Sequence, residues 1–252
     1  FSAVDGETMK VAWQVIVDEV GGNHKFPEVV YVSTHRGFAR SLDGGSSWDF
    51  PILQSSTRGF AVSPLTSQML YVGDAGVPWV HISRDSGDTW QDVLITTTQS
   101  TIQSVAVDPL TPVTIYAGLS SRVGDPASDT SRDGLYVSSD DGLTWARAGL
   151  PGEQVNAVVA AADVSGTTIY AGVGDQSDYL SAGGVYRRQA GESDWTLAGL
   201  ADAIVNVIAV DPLDPDHVYC GVGAYGPGPS VRGLYESSDG GDHWTKAAVG
   251  PY

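Results

Sequence analysis

The chain has one cysteine, Cys220, among 252 residues. That excludes an internal disulfide and any Cys-rich metal site. Basic side chains are also scarce, 13 against 30 acidic ones, for a formal charge of −17. So negative a surface repels phosphate backbones and anionic headgroups, which excludes nucleic acid and peripheral membrane binding as functions. No apolar run approaches the roughly 18 residues that a spanning helix needs, so no membrane span is expected. The histidines, His24, His35, His81, His217 and His243, show neither HExxH nor paired zinc spacing. No glycine-rich phosphate loop opens a helix, because the sequence contains no convincing helix. No metal and no cofactor are expected. The first residues, Phe1 to Gly6, lack the basic start and apolar run of a signal peptide, and the absence of an initial Met reads as a mature, trimmed or partly observed product.

What the chain has in quantity is glycine and proline, 31 and 13, spread along its length. That distribution points to many short strands joined by turns, an all-β protein of a size that buries a substantial core. A motif recurs with a period of about 40–55 residues, the signature of a repeat architecture. Ser41-Leu42-Asp43-Gly44-Gly45-Ser46-Ser47-Trp48 returns as Ser83 to Trp90, Ser138 to Trp145 and Ser237 to Trp244. A degraded copy runs from Arg187 to Trp195, with Gln189 near the Asp position and one extra residue before the Trp. Five of the seven tryptophans, Trp48, Trp90, Trp145, Trp195 and Trp244, therefore belong to one motif.

Each copy has the same lead-in. Val107-Asp108-Pro109 precedes Ile115-Tyr116-Ala117-Gly118 and Gly134-Leu135-Tyr136, and the last unit repeats this with Val210-Asp211-Pro212, Val218-Tyr219-Cys220-Gly221 and Gly233-Leu234-Tyr235. Cys220 thus stands where its sister repeats have Ala117 and Ala171, and is expected to be small and buried. Each unit reads as a four-stranded antiparallel meander: an apolar strand A, an Asp-Pro turn, strand B at the Tyr-Ala-Gly, strand C at the Gly-Leu-Tyr, and strand D from the motif Trp. The near-continuous apolar run Val205 to Val210 fits a strand A covered on both faces. The motif itself is turn chemistry. Its Asp offers acceptors to amides left open by the C–D hairpin, its glycine suits a positive φ, and its Trp can cover the hairpin.

These residues resemble the Asp-box, or bacterial neuraminidase repeat, of the sialidase-like β-propellers, in four full copies and a fifth in part. The resemblance covers nearly the whole chain, in units of about 11–50, 58–94, 102–149, 154–198 and 204–248. It implies that Asp43, Asp85, Asp140 and Asp239, with their tryptophans, are structural and lie on C–D turns. Residues 1–252 read as a single propeller domain of about five blades. The ring is either closed at five or part of a longer propeller.

Successive turns of a meander alternate between the two ends of the strands. Short A–B and C–D turns share one end, and the longer, variable B–C loops share the other with the D–A connectors. The B–C loops hold Trp79, Tyr179 and Tyr225, able to stack on sugars or anchor a protein, and Arg36, Arg122 and Arg232, able to pair with carboxylates. These six are the candidate ligand- or partner-binding residues, and no residue is assigned a catalytic role. The acidic loop Gly124 to Asp133 lacks the ligand spacing of an EF-hand and reads as solvated.

The chain resembles propellers that act as photosystem II assembly factors and, more distantly, sortilin-type receptors. This resemblance implies a non-enzymatic scaffold binding a protein partner, within a larger assembly, in a secreted or periplasmic setting. The alternative is a carbohydrate-binding propeller or a glycoside hydrolase. Sialidases would require an Arg-Ile-Pro segment, which is absent. The xyloglucan-active endoglucanases resemble the repeat more closely, and they carry a catalytic Asp in the loop after the first Tyr strand. Here that loop reads Ser33-Thr34-His35-Arg36-Gly37, with no acid.

Overall fold

The computed structural model describes residues 12–18, 29–97, 100–121, 130–175, 183–223 and 232–247. They form five four-stranded antiparallel sheets, each with its strands side by side in chain order, the construction of β-propeller blades. Blade 1 comprises β1 (Ala12–Asp18), β2 (Val29–Thr34), β3 (Gly37–Ser41) and β4 (Asp49–Leu53), and blade 2 comprises β5 (Thr57–Ser63), β6 (Thr66–Asp74), β7 (Trp79–Ser83) and β8 (Gln91–Leu94). Blade 3 has β9 (Ser100–Val107), β10 (Ile115–Ser121), β11 (Gly134–Ser138) and β12 (Ala146–Gly149). Blade 4 has β13 (Val155–Asp163), β14 (Gly166–Val173), β15 (Gly184–Gln189) and β16 (Thr196–Gly199), and blade 5 has β17 (Val205–Asp211), β18 (Asp214–Val222), β19 (Gly233–Ser237) and β20 (Thr245–Lys246). A single 3-10 turn, Thr130–Arg132, is the only helical element among the described residues, and no helix is long and apolar enough to cross a membrane.

Asp side chains set the A–B turns. Asp108 Oδ1 accepts from the amides of Leu110 and Thr111, and Asp211 Oδ1 from that of Leu213. Such local bonds satisfy turn amides that no strand can reach.

The hydrophobic core lies between successive blades, which touch chiefly through their first strands. The junctions share one fitting. A Cβ at Gly73 of β6 would fall 2.5 Å from Ile102 Cγ2 of the next blade. One at Gly118 of β10 would fall 2.8 Å from Val155 Cγ1, and one at Gly172 of β14 2.7 Å from Val205 Cγ1. Each strand-B glycine is therefore a hole, filled by a β-branched side chain at the start of the following blade. At the first junction Ser33 stands in the glycine's place, and its hydroxyl donates to the Arg58 carbonyl instead.

The C–D hairpins that carry the repeated motif close the same junctions further out. In blade 1 Asp43 Oδ1 accepts from the Ser41 hydroxyl and the Ser47 amide, both at 2.8 Å, while Ser41 Oγ accepts from the Gly45 amide. The same bonds recur around Asp85, Asp140 and Asp239. In the degraded copy, Glu192 accepts from the Gln189 amide. The tryptophans do more than cover their own turns. The indole N–H groups of Trp90, Trp195 and Trp244 donate to the carbonyls of Ile52, Ala148 and Ala198, each on strand D of the preceding blade. Trp48 and Trp145 donate within their own hairpins, to Gly45 and Gly142. The preceding blade also reaches forward: Arg40 donates to Ser86 O and Asp88, Arg187 to Gly240 O and Asp242, and the Tyr170 hydroxyl to Gly240 O.

Blade 5 departs from the sequence expectation. Its strand A is not covered on both faces: Val207 is 55% exposed. Cys220 is fully buried in the core between blades 4 and 5, where burial pushes its thiol up to about 12.

Two outcomes follow from these junctions. Gly172→Ala forces a methyl into the space of Val205 and is expected to destabilise by about 1–3 kcal/mol in guanidinium titrations. Val205→Ala should recover part of that loss, as coupled neighbours do. The box carboxyls of Asp43, Asp85 and Asp140 are lowered to about 2 by the hydroxyl and then the amide four residues on, and Asp239 by the His243 amide and ring. Their depressed values mean that the stability they lend is present above the ordinary carboxyl pKa and lost as pH falls toward 2. The thermal midpoint should therefore drop between pH 5 and pH 2.5, and the drop should shrink in a variant with all four changed to Asn.

Candidate functional site

The antiparallel order puts the B–C loops and the D–A connectors at one end of every blade. At that end each strand A is interrupted at the same register. The ladder between strands A and B skips a residue between Ala12 and Gln14 in blade 1, and two between Thr57 and Phe60 in blade 2. It skips Gln103 in blade 3, Asn156 in blade 4 and Asn206 in blade 5. A β-bulge releases a side chain from the pleat and re-aims it. From blade 2 onward the released side chains are Arg58, Gln103, Asn156 and Asn206, a polar series carried on the strands through which the blades touch. Neighbours in the series interact. Arg58 Nη1 donates to Gln103 Oε1 across the blade junction, and Gln103 Nε2 to Thr101 Oγ1. Asn156 Nδ2 donates to Gly174 O and to Val205 O of the next blade.

Sequence reasoning missed this series. Neither Arg58 nor the three amides belong to the repeated motif, and only the register shows that they share one position.

Of the six sequence-nominated residues, three fall among those described. Arg36 is exposed in the two-residue turn between β2 and β3, its amide donating to Thr34 Oγ1 at 3.1 Å. Trp79 opens β7, 40% exposed and directly opposite Leu94, which is itself 49% exposed. With Val77 they form an apolar patch on the outer half of blade 2. Arg232 is exposed just before β19. Arg36 and Trp79 thus stand on neighbouring blades, and Arg232 three blades further on. Arg122, Tyr179 and Tyr225 lie outside the described residues, as does the loop from Gly124 to Asp129.

A second group emerges behind Trp79. His81, buried in β7, sits between two carboxylates: Nδ1 is 2.7 Å from Asp92 Oδ1 and Nε2 is 3.3 Å from Asp74 Oδ2. Asp74 also accepts from the Ser55 hydroxyl and, through Oδ1, from the amides of Gly76 and Val77. These bonds fold the loop that presents Trp79. Burial opposes the charge on His81, yet Asp74 and Asp92 outweigh it and raise the imidazole above its ordinary value. Burial likewise opposes ionisation of Asp74, but His81, Ser55 and the two amides hold its carboxyl below the usual range. The pair separates in sequence and meets only because β6 and β7 are hydrogen-bonded, so no spacing rule finds it.

Two carboxylates at this end are thus committed to structure. Asp74 is saturated as described, and Asp133 is buried with the Ser100 hydroxyl donating to its Oδ1. Among the described residues no group of three or more His, Cys, Asp and Glu is arranged to hold a metal ion.

No protein-family profile matches the chain, and no curated protein does. Solved structures do. An ancestral GH74 enzyme matches with a TM-score of 0.68 at 23% identity, over 93% of this chain and 32% of that one. The GH74 xyloglucanase from Xanthomonas campestris matches with 0.65 at 19%, over 87% and 36%. YCF48 bound to D1 peptide matches with 0.53 at 16%, over 90% and 70%. The likeness is one of fold. The chain spans about a third of the length of the GH74 structures it matches.

The His81 cluster carries a pH dependence of definite sign. A raised folded pKa means its contribution is complete below about 6.5 and lost as pH rises through the raised value. The stability difference between the native protein and His81→Gln should therefore shrink between pH 5 and pH 9 in thermal melts. A difference constant across that range would mean that His81 is neutral throughout.

Proposed function

We propose that the protein is a non-enzymatic scaffold that binds a protein partner through the B–C end of its blades. The observation that carries this reading is the register of the strand-A bulges, which lines up Arg58, Gln103, Asn156 and Asn206 on successive blades at the end where Arg36, Trp79 and Arg232 also lie. Amides and guanidinium groups recognise peptide carbonyls, amides and carboxylates, and Trp79 with Leu94 and Val77 supplies an apolar anchor beside them. A chemical argument weighs against hydrolysis. Glycoside cleavage uses two carboxyl groups free to exchange protons or attack. Of the described carboxylates at this end, Asp74 and Asp133 are instead buried and hydrogen-bonded, and the turn after the first Tyr strand presents His35 and Arg36. The likeness to YCF48, a protein solved with a peptide bound, points the same way. A secreted or periplasmic setting accompanies the proposal.

A photo-crosslinking residue placed at Trp79 or Gln103 in cells of the native host tests it. A discrete protein adduct is expected from both positions and none from Leu110, an exposed residue at the opposite end. With the partner so identified, Trp79→Ala and Arg58→Ala should each weaken binding by about tenfold or more. Release of reducing sugar from β-glucans, or cleavage of sialosides, by the purified chain would instead favour the glycosidase reading.

A further inference from the structure

Every blade ends in an outer strand D, and the free edge of such a strand pairs with other chains unless it is blunted. Three blades blunt it in one way. Strand D is bulged against strand C between Asp49 and Leu53 in blade 1, at Ala148 in blade 3 and at Ala198 in blade 4. The carbonyls of Ile52, Ala148 and Ala198, which lie in those bulges, accept the indole N–H of the next blade's Trp90, Trp195 and Trp244. In blade 5 strand D is cut down to Thr245–Lys246.

Blade 2 does neither. Its β8 pairs with β7 without a break, Trp79 with Leu94, Val80 with Val93, His81 with Asp92 and Ile82 with Gln91. The next blade's Trp145 donates to Gly142 of its own hairpin and leaves β8 uncapped. The Ile95 amide donates to the Pro78 carbonyl, which sets the alternation along the pair. Gln91 and Val93 turn their main chain to β7, and the N–H and C=O groups of Asp92 and Leu94 point out of the sheet. Among the described residues no loop backbone bonds to them. Their side chains share the face that carries Trp79, so this edge is bordered by the apolar pair Trp79 and Leu94 and by the half-exposed carboxylate of Asp92. Outward main-chain groups at alternate residues fit an extended backbone, and the side chains beside them fix what it carries.

We infer that β8 is a strand-addition site, where an extended segment of the partner pairs with Asp92 and Leu94 as a fifth strand of blade 2, with an apolar residue opposite Leu94 and Lys or Arg opposite Asp92. This names how the partner proposed above docks, and it rests on the reading that the partner binds beside Trp79.

The probe is the peptide acetyl-Thr-Thr-Val-Thr-Lys-Thr-Thr-amide, followed through the backbone amide resonances of the isotope-labelled full chain. It should shift the Asp92 and Leu94 signals saturably, with a Kd on the order of 1 mM or tighter. N-methylation of its Val, whose amide faces β8, should weaken binding by about tenfold or more. N-methylation of the Thr between Val and Lys, whose amide faces away, should cost less than about twofold. Lys→Glu in the peptide should cost about fivefold. Leu94→Pro removes an outward donor without breaking a bond to β7 and should abolish the response, while Leu94→Ala keeps the donor and should cost only about threefold. Three results would overturn the inference. One is the lack of a saturable shift at Asp92 and Leu94. The second is an equal response to the two N-methylations, which would mean side-chain docking without strand addition. The third is a particle of twice the chain's mass with these amides already protected, which would make β8 of a second copy the occupant. The crosslinks at Trp79 and Gln103 separate the two readings: adducts there beside a negative peptide result sink strand addition alone, and their absence beside a positive one sinks the proposed function alone.

Discussion

The whole assembly depends on one steric constraint, that strand B lack a side chain where the next blade's first strand crosses it. A methyl group at Gly73, Gly118 or Gly172 would occupy the same space as Ile102, Val155 or Val205. Interiors packed to crystal-like density do not absorb such overlap without backbone movement. The fitting also fixes register, since sliding one blade past another by a residue would set a β-branched side chain against Val72 or Asp74, Ala117 or Leu119, or Ala171 or Val173 instead of the glycine. Successive blades therefore index on each other through a single hole and knob. The Trp and Arg bonds of the C–D hairpins then lock the same junction several strands further out. A junction pinned at two separated points resists rotation as well as sliding.

Charge is distributed to match. The four box carboxylates accept bonds from nearby hydroxyls and amides, which is why they remain ionised far into acid. These four carboxylates lie at the C–D end, while Arg36, Arg58 and Arg232 stand at the B–C end. A strongly acidic protein keeps itself dispersed and can still present arginines at its B–C end to carboxylates and carbonyls.

The blade order was legible in the sequence because it rests on local chemistry. Within a box the partners lie two or four residues apart, so Asp43 and Ser47, or Ser41 and Gly45, announce their bonds by spacing alone. Strand B announces itself by a Tyr followed two residues later by a Gly. What stayed hidden depends on pairing across strands or blades. Arg58, Gln103, Asn156 and Asn206 share a position only when the bulges are counted, and His81 meets Asp74 and Asp92 only across hydrogen-bonded strands. The apolar run of β17 misled in an instructive way. Hydrophobicity alone does not tell which face of a strand is covered, and Val207 lies over Gly221 of its own blade instead.

The position of the polar series bears on how binding would work. Side chains on loops must be ordered when a partner arrives, and each long side chain immobilised then costs about 0.5–1.5 kcal/mol. Arg58, Gln103 and Asn156 instead project from bulges in strands held on both sides by neighbouring blades, and they are already tied to one another or to backbone carbonyls. Trp79 is held similarly, since Asp74 and His81 fold the turn before it. A ligand would meet a surface whose entropy was spent on folding. Affinity would then come from the fixed strand-A groups, common in position to every blade, and selectivity from the B–C loops, which differ in length and sequence from blade to blade. A scaffold that separates these roles can change partners by altering loops while its junctions stay intact.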